Sequence, residues 1–110
     1  MPIHGHENQL ALAAALGHRG GTLLGPAQGA ARGFCLGISF YDQAEYGPPG
    51  VHEDQEGFYV LEGHGTARVG GEEFPVSPGS VFLAARGVPH ALRRAPDSGP
   101  LKVLWAHGAV

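Results

Sequence analysis

Short runs of alternating apolar and polar residues follow one another from residue 20 onward, and each run ends at a glycine, a proline or another turn residue. A period of two is typical of a strand with one buried face. The pattern predicts strands over residues 34–41, 57–61, 64–69, 72–76, 80–84, 90–95 and 101–107. Gly70-Gly71 and Ser77-Pro78-Gly79 predict turns between neighbouring strands. The expected fold class is therefore all-β.

Two strands carry a face that the pattern assigns to the interior. The large apolar side chains of residues 34–41 share one face, which is predicted to be core: Phe34, Leu36, Ile38 and Phe40. In residues 101–107, Lys102 marks the wetter face, which places Trp105 and His107 towards the interior.

One short helix is expected before the strands. Asn8 is a suitable N-cap for the alanine- and leucine-rich stretch that follows it, and Gly17 is a suitable C-terminal stop. The chain is accordingly divided into an N-terminal tail with a short helix, residues 1–19, and a β-barrel domain, residues 20–110. Short antiparallel strands at this spacing favour closure into a jelly-roll barrel, because a small open sheet would leave its edges and one core face exposed.

Composition narrows the classes of partner. Seven basic against ten acidic side chains give a formal net charge of -3, and the basic residues form no run, so a nucleic-acid surface is not expected. No apolar stretch approaches the roughly 20 residues that a membrane helix needs. Cys35 is the single cysteine, which fits a reducing, cytoplasmic compartment. A small-molecule ligand remains the expected partner.

Residues 44–63 and 79–94 resemble the two short motifs of the cupin superfamily. The matching positions are His52, Glu56, Gly63, Gly79, Gly87 and His90. The segments FYVLEG and PGSVFLAARGVPH are also similar to the sequences that cupins usually have at these positions. The resemblance spans roughly the C-terminal two-thirds of the domain, and it implies a double-stranded β-helix, which is the jelly-roll or cupin barrel.

Four positions depart from the family pattern. Gly50 stands where the first histidine would be, Ala44 replaces a glycine, Ala85 replaces a proline and Arg94 replaces the closing asparagine. The family's usual site of three histidines and one glutamate therefore keeps three ligands: His52, Glu56 and His90.

Two imidazoles and one carboxylate suit a divalent transition metal, namely Fe, Mn, Ni or Zn. On one face they would resemble the facial triad that leaves positions open for oxygen or substrate. Ligand type does not select among these metals. The alternative is a degenerate site in which the histidines and the glutamate bond to one another and bind no metal.

The position vacated at Gly50 leaves three candidates for a replacement ligand, which are Asp54, His107 and water. Asp54 shares a face with His52 if the strand begins early. A turn after His52 would instead make Glu53 and Asp54 solvated turn residues. His107 could equally be a hydrogen-bonded histidine at a strand end.

Arg94 shares a strand face with His90, so an inward His90 implies an inward Arg94. A buried guanidinium needs a partner. That partner is either an internal carboxylate such as Glu56 or the carboxylate or phosphate of a substrate.

These residues favour a metal-dependent enzyme, a dioxygenase, isomerase or lyase, acting on a small polar or carboxylated molecule, with Glu56 and Arg94 as its catalytic residues. A binding or sensing module without turnover is the alternative. Tyr59 and Leu61 lie on the strand face opposite Phe58 and Val60, so they are expected to be buried against another surface. Cupins commonly dimerise, and a homodimer is expected.

Overall fold

The computed structural model describes residues 2–9, 13–15 and 18–108. Within those ranges the chain forms nine strands and two 3-10 turns, the turns at Glu7–Gln9 and Pro26–Gln28. The strands are β1 Ala13–Ala15, β2 His18–Leu24, β3 Cys35–Tyr41, β4 Gln55–Glu62, β5 Gly65–Val69, β6 Glu72–Val76, β7 Val81–Ala84, β8 His90–Arg94 and β9 Leu101–Gly108.

The strands form two antiparallel sheets. One sheet has the strand order β1-β2-β3-β9-β4-β7, and the other has the order β6-β5-β8. Gly70 has a φ of 61° in the β5–β6 hairpin, where glycine adopts the left-handed conformation without strain. The all-β, jelly-roll prediction is confirmed. Across the described residues, no helix is of a length and apolarity that could cross a membrane.

The core lies between the two sheets and is built by alternating inward residues. Val60, Leu101 and Val103 of the larger sheet are fully buried, and Leu92 of the smaller sheet is 2% exposed. Burial of each such side chain stabilises the fold by about 1.5–3 kcal/mol. The prediction that β9 turns Trp105 and its same-face neighbours inward is confirmed, because Trp105 packs against this core.

The core face predicted for β3 is confirmed at Ile38, which is 3% exposed, but it does not hold along the rest of the segment. Phe34 is 47% exposed, whereas Tyr41, on the opposite face, belongs to the core cluster. Phe40 lies outside and packs under the guanidinium of Arg19, 4.5 Å from its ring centre. The face that carries Gly37, Ser39 and Tyr41 lies towards the interior, where Trp105 from β9 covers Gly37.

The helix predicted after Asn8 is also wrong in the residues that the structure describes. Asn8 belongs to the 3-10 turn, and Ala13–Ala15 forms β1, which pairs antiparallel with β2. The remainder of the predicted helix, residues 10–12 and 16–17, lies outside the described residues. An isolated helix of this length is marginal in water, so pairing at a sheet edge outweighs the helix propensity of alanine. The division proposed between residues 19 and 20 falls inside β2.

Candidate metal centre

Two stretches of chain, the start of β4 with the loop before it and the start of β8, bring His52, Glu56 and His90 together. His52 precedes β4 in a loop, Glu56 is the second residue of β4, and His90 is the first residue of β8. One ligand atom from each residue can be chosen so that all three atoms lie within 4.8 Å of one another. The convergence expected from the sequence is therefore observed.

Glu56 Oε1 lies between the two imidazoles. It is 3.0 Å from Nε2 of His52 and 3.4 Å from Nε2 of His90. Donor atoms about 2.1 Å from a first-row metal, at angles between 90° and 110°, are about 3.0–3.4 Å apart. Both distances thus have the spacing of atoms that share an ion.

The same carboxylate oxygen has no hydrogen-bond donor of its own. Among the residues that the structure describes, Glu56 Oε1 is buried without a hydrogen bond, and the imidazole nitrogens of His52 and His90 lie close to it. A buried carboxylate oxygen without a partner is costly. A cation held jointly with the two imidazoles would satisfy it, so the residues present fit a metal ion.

Burial shapes the protonation of this cluster. It raises the pKa of Glu56 to about 7, a rise that the charge of Asp54 reinforces and that His107 opposes. Burial also lowers the pKa of His90, and the neighbouring His52 acts in the same direction. The neutral imidazole that a metal requires is therefore the favoured form of His90 near neutral pH.

Gly50 is paired directly with His90. The backbone N–H of each residue donates to the carbonyl of the other at 2.9 Å. A Cβ at residue 50 would lie 2.9 Å from His90 Nε2 and 3.2 Å from its Cε1. The histidine ring therefore occupies the space that a side chain at residue 50 would need.

Asp54 and His107 bond to each other rather than to the cluster. His107 Nδ1 lies 2.8 Å from Asp54 Oδ2, and this carboxylate is only 19% exposed. The expectation that Asp54 is a solvated turn residue is wrong, because the end of β9 reaches over the turn and supplies a partner. The His107 ring stacks on that of His52 at 5.3 Å and 8°. His107 is thus a hydrogen-bonded strand-end histidine that supports His52.

Arg94 does not turn its guanidinium towards the cluster, which corrects the expected catalytic role. Its Nε donates to the carbonyl of Asp42 at 2.7 Å. Its Nη1 donates to the carbonyls of Ala95, Pro96 and Ser98 at 3.2, 3.4 and 3.2 Å. Because β8 ends at this residue, the long side chain reaches the loop that follows instead of the interior. Arg94 therefore ties that loop to the residues after β3.

A cavity of about 270 Å³ opens beside Glu56 and His90. Its wall includes Trp105, which the sequence places towards the interior, and three residues that the sequence does not indicate as site residues: His18, Ser39 and Tyr41. The alternation pattern does not identify Ser39 and Tyr41, because it assigns their strand face to the outside. Burial and the charge of Glu56 raise the pKa of Tyr41, so its phenol stays neutral. The small residues Gly37 and Ser39 were the available signal, since they leave room where larger side chains would fill the lumen.

Comparisons with known proteins agree with this architecture. A family model described as "Cupin domain" matches residues 38–107. No curated protein matches the chain.

Three solved structures illustrate the likeness. The ectoine synthase from P. lautus has a TM-score of 0.81 at 19% identity, over 97% of this chain and 78% of that one. The polyketide cyclase RemF from Streptomyces resistomycificus has a TM-score of 0.78 at 24% identity, over 97% and 80%. The Cnp3 cupin domain from Schizosaccharomyces pombe has a TM-score of 0.78 at 14% identity, over 98% and 74%. At these identities the shared feature is the fold.

Proposed function

The chain belongs to the cupin-domain family, and we propose that it binds one divalent transition metal and acts as a metal-dependent enzyme on a small polar molecule. The ligands in this proposal are His52, Glu56 and His90. The observation that carries it is the buried, unpartnered Oε1 of Glu56 between two imidazole nitrogens.

The chain's own residues would hold the ion and shape its surroundings. Glu56 and His90 line the cavity, whereas the side chain of His52 is 41% exposed and lies on the solvent side. A divalent ion held here would supply Lewis-acid polarisation of a substrate carbonyl or a redox centre for oxygen chemistry. Asp54 would fix the orientation of His107, whose ring supports His52 from behind. A dioxygenase, an isomerase and a lyase all fall within this proposal.

The second candidate is a non-catalytic module that binds or senses a small molecule. Gly50 favours it, because the space of a fourth protein ligand is taken by the His90 ring. With three protein ligands the metal would be held more weakly than in a four-ligand site. The enzyme proposal predicts chemical change in a bound compound, whereas the binding proposal predicts that the compound is recovered intact.

Metal analysis tests the shared part of both proposals. The purified protein is stripped with a chelator, loaded separately with Zn, Mn, Ni and Fe, and analysed for bound metal. We expect about one equivalent in the wild type and a loss of bound metal in His52→Ala, His90→Ala and Glu56→Gln. His64→Ala is the matched control, because His64 pairs with Asp97 on the surface. Equal loading of all four variants would disprove binding at this cluster.

Turnover separates the two candidates. The metal-loaded protein is incubated with a mixture of small polar metabolites, and the mixture is compared by mass spectrometry with one incubated with His90→Ala. A compound that is consumed only by the loaded wild type supports the enzyme. A compound that is retained but unchanged supports the binding module.

We also propose that the protein forms a homodimer through an outer patch formed by Tyr59, Leu61, Val81 and Leu83. Val81 is 69% exposed and Leu83 is 55% exposed, and both lie on β7 at the edge of the larger sheet. An apolar edge of this kind is usually covered. Light scattering at micromolar concentration tests this, with Leu83→Glu expected to give monomer; a monomeric wild type would refute it. A reducing, cytoplasmic setting is proposed from the single cysteine.

A further inference from the structure

The indole of Trp105 forms one wall of the cavity beside the metal centre. In the larger sheet, Trp105 on β9 lies opposite Gly37 on β3. A Cβ at Gly37 would overlap Cζ2 and Cη2 of the indole, so the ring lies directly over this glycine. The absence of a side chain at residue 37 thus lets a large flat ring lie along the sheet and still line the cavity.

One hydrogen bond fixes this ring, and a separate pair of rings provides a second aromatic wall. Trp105 Nε1 donates to Ser39 Oγ at 3.0 Å, which holds the indole in one orientation. The rings of Tyr41 and His18 stack at 5.1 Å, and both residues also line the cavity. A ring held in place before binding loses little entropy when a ligand stacks on it.

The cavity has few charges. Among the described residues that line it there is no lysine or arginine, and Glu56 is the single carboxylate. The two nearby arginines are used elsewhere, since Arg94 bonds to backbone carbonyls and Arg19 to Asp42 at 2.9 Å. An anionic ligand would find no lysine or arginine to pair with, and of the histidines in the wall His107 already pairs with Asp54 and His18 stacks on Tyr41. A neutral ligand would meet polar groups and aromatic faces.

We infer that this cavity binds a planar, single-ring molecule without a negative charge, which stacks on Trp105 and points a polar group at Glu56 and His90. The inference rests on the proposed function for the position of the reacting group, but the stacking wall needs no metal. The volume of about 270 Å³ is slightly below the range of about 300–1,000 Å³ common for ligand pockets, which restricts the ligand to one ring.

The test uses four probes of similar size with the metal-free protein. Benzamide is neutral and planar, benzoate is its anionic counterpart, benzamidine its cationic counterpart, and cyclohexanecarboxamide its saturated, non-planar counterpart. The chain has one tryptophan, so a single indole N–H signal in a nitrogen–proton correlation spectrum reports on this wall. We expect benzamide to shift that signal and to bind about two- to tenfold more tightly than cyclohexanecarboxamide.

Variants locate the binding. Trp105→Leu should weaken benzamide by about two- to tenfold, measured by ligand-observed NMR because the reporter is lost. Phe34→Leu is the matched control, because Phe34 is an exposed aromatic residue that lies outside both the cavity and the proposed dimer patch. If Trp105→Leu fails to fold, the comparison of benzamide with cyclohexanecarboxamide in the wild type still decides the question.

Three results would overturn the inference: benzoate that binds the metal-free protein more tightly than benzamide, equal affinity for the planar and saturated amides, or benzamide binding that Trp105→Leu leaves unchanged. None of them depends on metal loading, which is measured separately by elemental analysis. A protein that binds benzamide at Trp105 but takes up no metal would refute the proposed function and leave this inference standing. A protein that takes up metal but does not bind benzamide at Trp105 would refute this inference and leave metal binding at the cluster standing.

Discussion

Gly50 and His90 form an antiparallel bridge in which the missing side chain of one leaves room for the ring of the other. A Cβ at residue 50 would approach His90 Nε2 to 2.9 Å. Gly50, one of the four positions that depart from the family pattern, therefore also leaves the space in which the His90 ring lies beside Glu56. The absence of a ligand side chain at residue 50 and the position of the His90 ring therefore depend on each other.

Gly50→Ala should displace the His90 ring and weaken metal binding. Changes that disturb the orientation of a ligand typically cost about 10- to 100-fold in metal affinity, and we expect a loss in that range. Competition with a chelator of known affinity measures it. Gly71→Ala is the control, because a Cβ there meets no atom within 4 Å. An affinity equal to that of the wild type would show that His90 adjusts freely or is not a ligand.

Arg94→Leu should destabilise the fold without changing the affinity for anionic small molecules. The substitution leaves the carbonyl of Asp42 and those of the loop after β8 without their donor. Since hydrogen bonds from charged groups contribute about 1.5–3 kcal/mol, we expect a loss of about 2–4 kcal/mol in the free energy of unfolding. Denaturant unfolding measures this, with the exposed Arg86→Leu as control. A clear drop in benzoate affinity with stability unchanged would restore the anion-binding role.

Val103→Ala should create a cavity in the core between the sheets. Val103 is fully buried, and the loss of two methyl groups together with incomplete collapse should cost about 2 kcal/mol. The same substitution at Val51, which is 54% exposed, should change the free energy of unfolding by about 0.5 kcal/mol or less. Equal effects at the two positions would contradict the described core.

Tyr46 should titrate at high pH because of its surroundings. Burial, and then the hydrogen bond to Glu73 at 2.8 Å, raise its pKa from 10.0 to about 12. Because the pKa is higher in the folded chain, the contribution to stability is present below pH 10 and is lost as the pH rises through about 12. NMR titration of the Tyr46 ring should give a lower pKa in Glu73→Gln. The neighbouring Glu72→Gln is the control, and a Tyr46 pKa unchanged in Glu73→Gln would refute the assigned cause.

The sequence was most informative where a strand's alternation included one decisive residue. In β9, Lys102 identified the outer face, and the structure buries Leu101 and Val103 as expected. In β4, Glu56 and Phe58 fall on the inner face with Val60. The convergence of His52, Glu56 and His90 followed from the motif positions, because each side chain comes from a stretch whose end the barrel brings to a common point.

The sequence was least informative where a side chain bonds to a residue that is distant along the chain. Arg94 bonds to Asp42, 52 residues away. Asp54 and His107 are 53 residues apart, so the carboxylate was expected to be solvated. Trp105 is 66 residues from Ser39 and covers Gly37 beside it, on the strand face of β3 that the pattern assigns to the outside.

Local pattern therefore determined that the chain forms strands and where most of them begin and end, and the resemblance to the cupin motifs indicated which three residues could share a metal. Alternation shows that a strand has two different faces, but it does not show which face is buried. Burial depends on the side chains that neighbouring strands place against each face. Only the tertiary structure decided that Tyr41 lies inward, that Arg94 leaves the site, and that Gly50 makes room for His90. Each of these depends on the volume and hydrogen-bonding groups of residues brought close by folding.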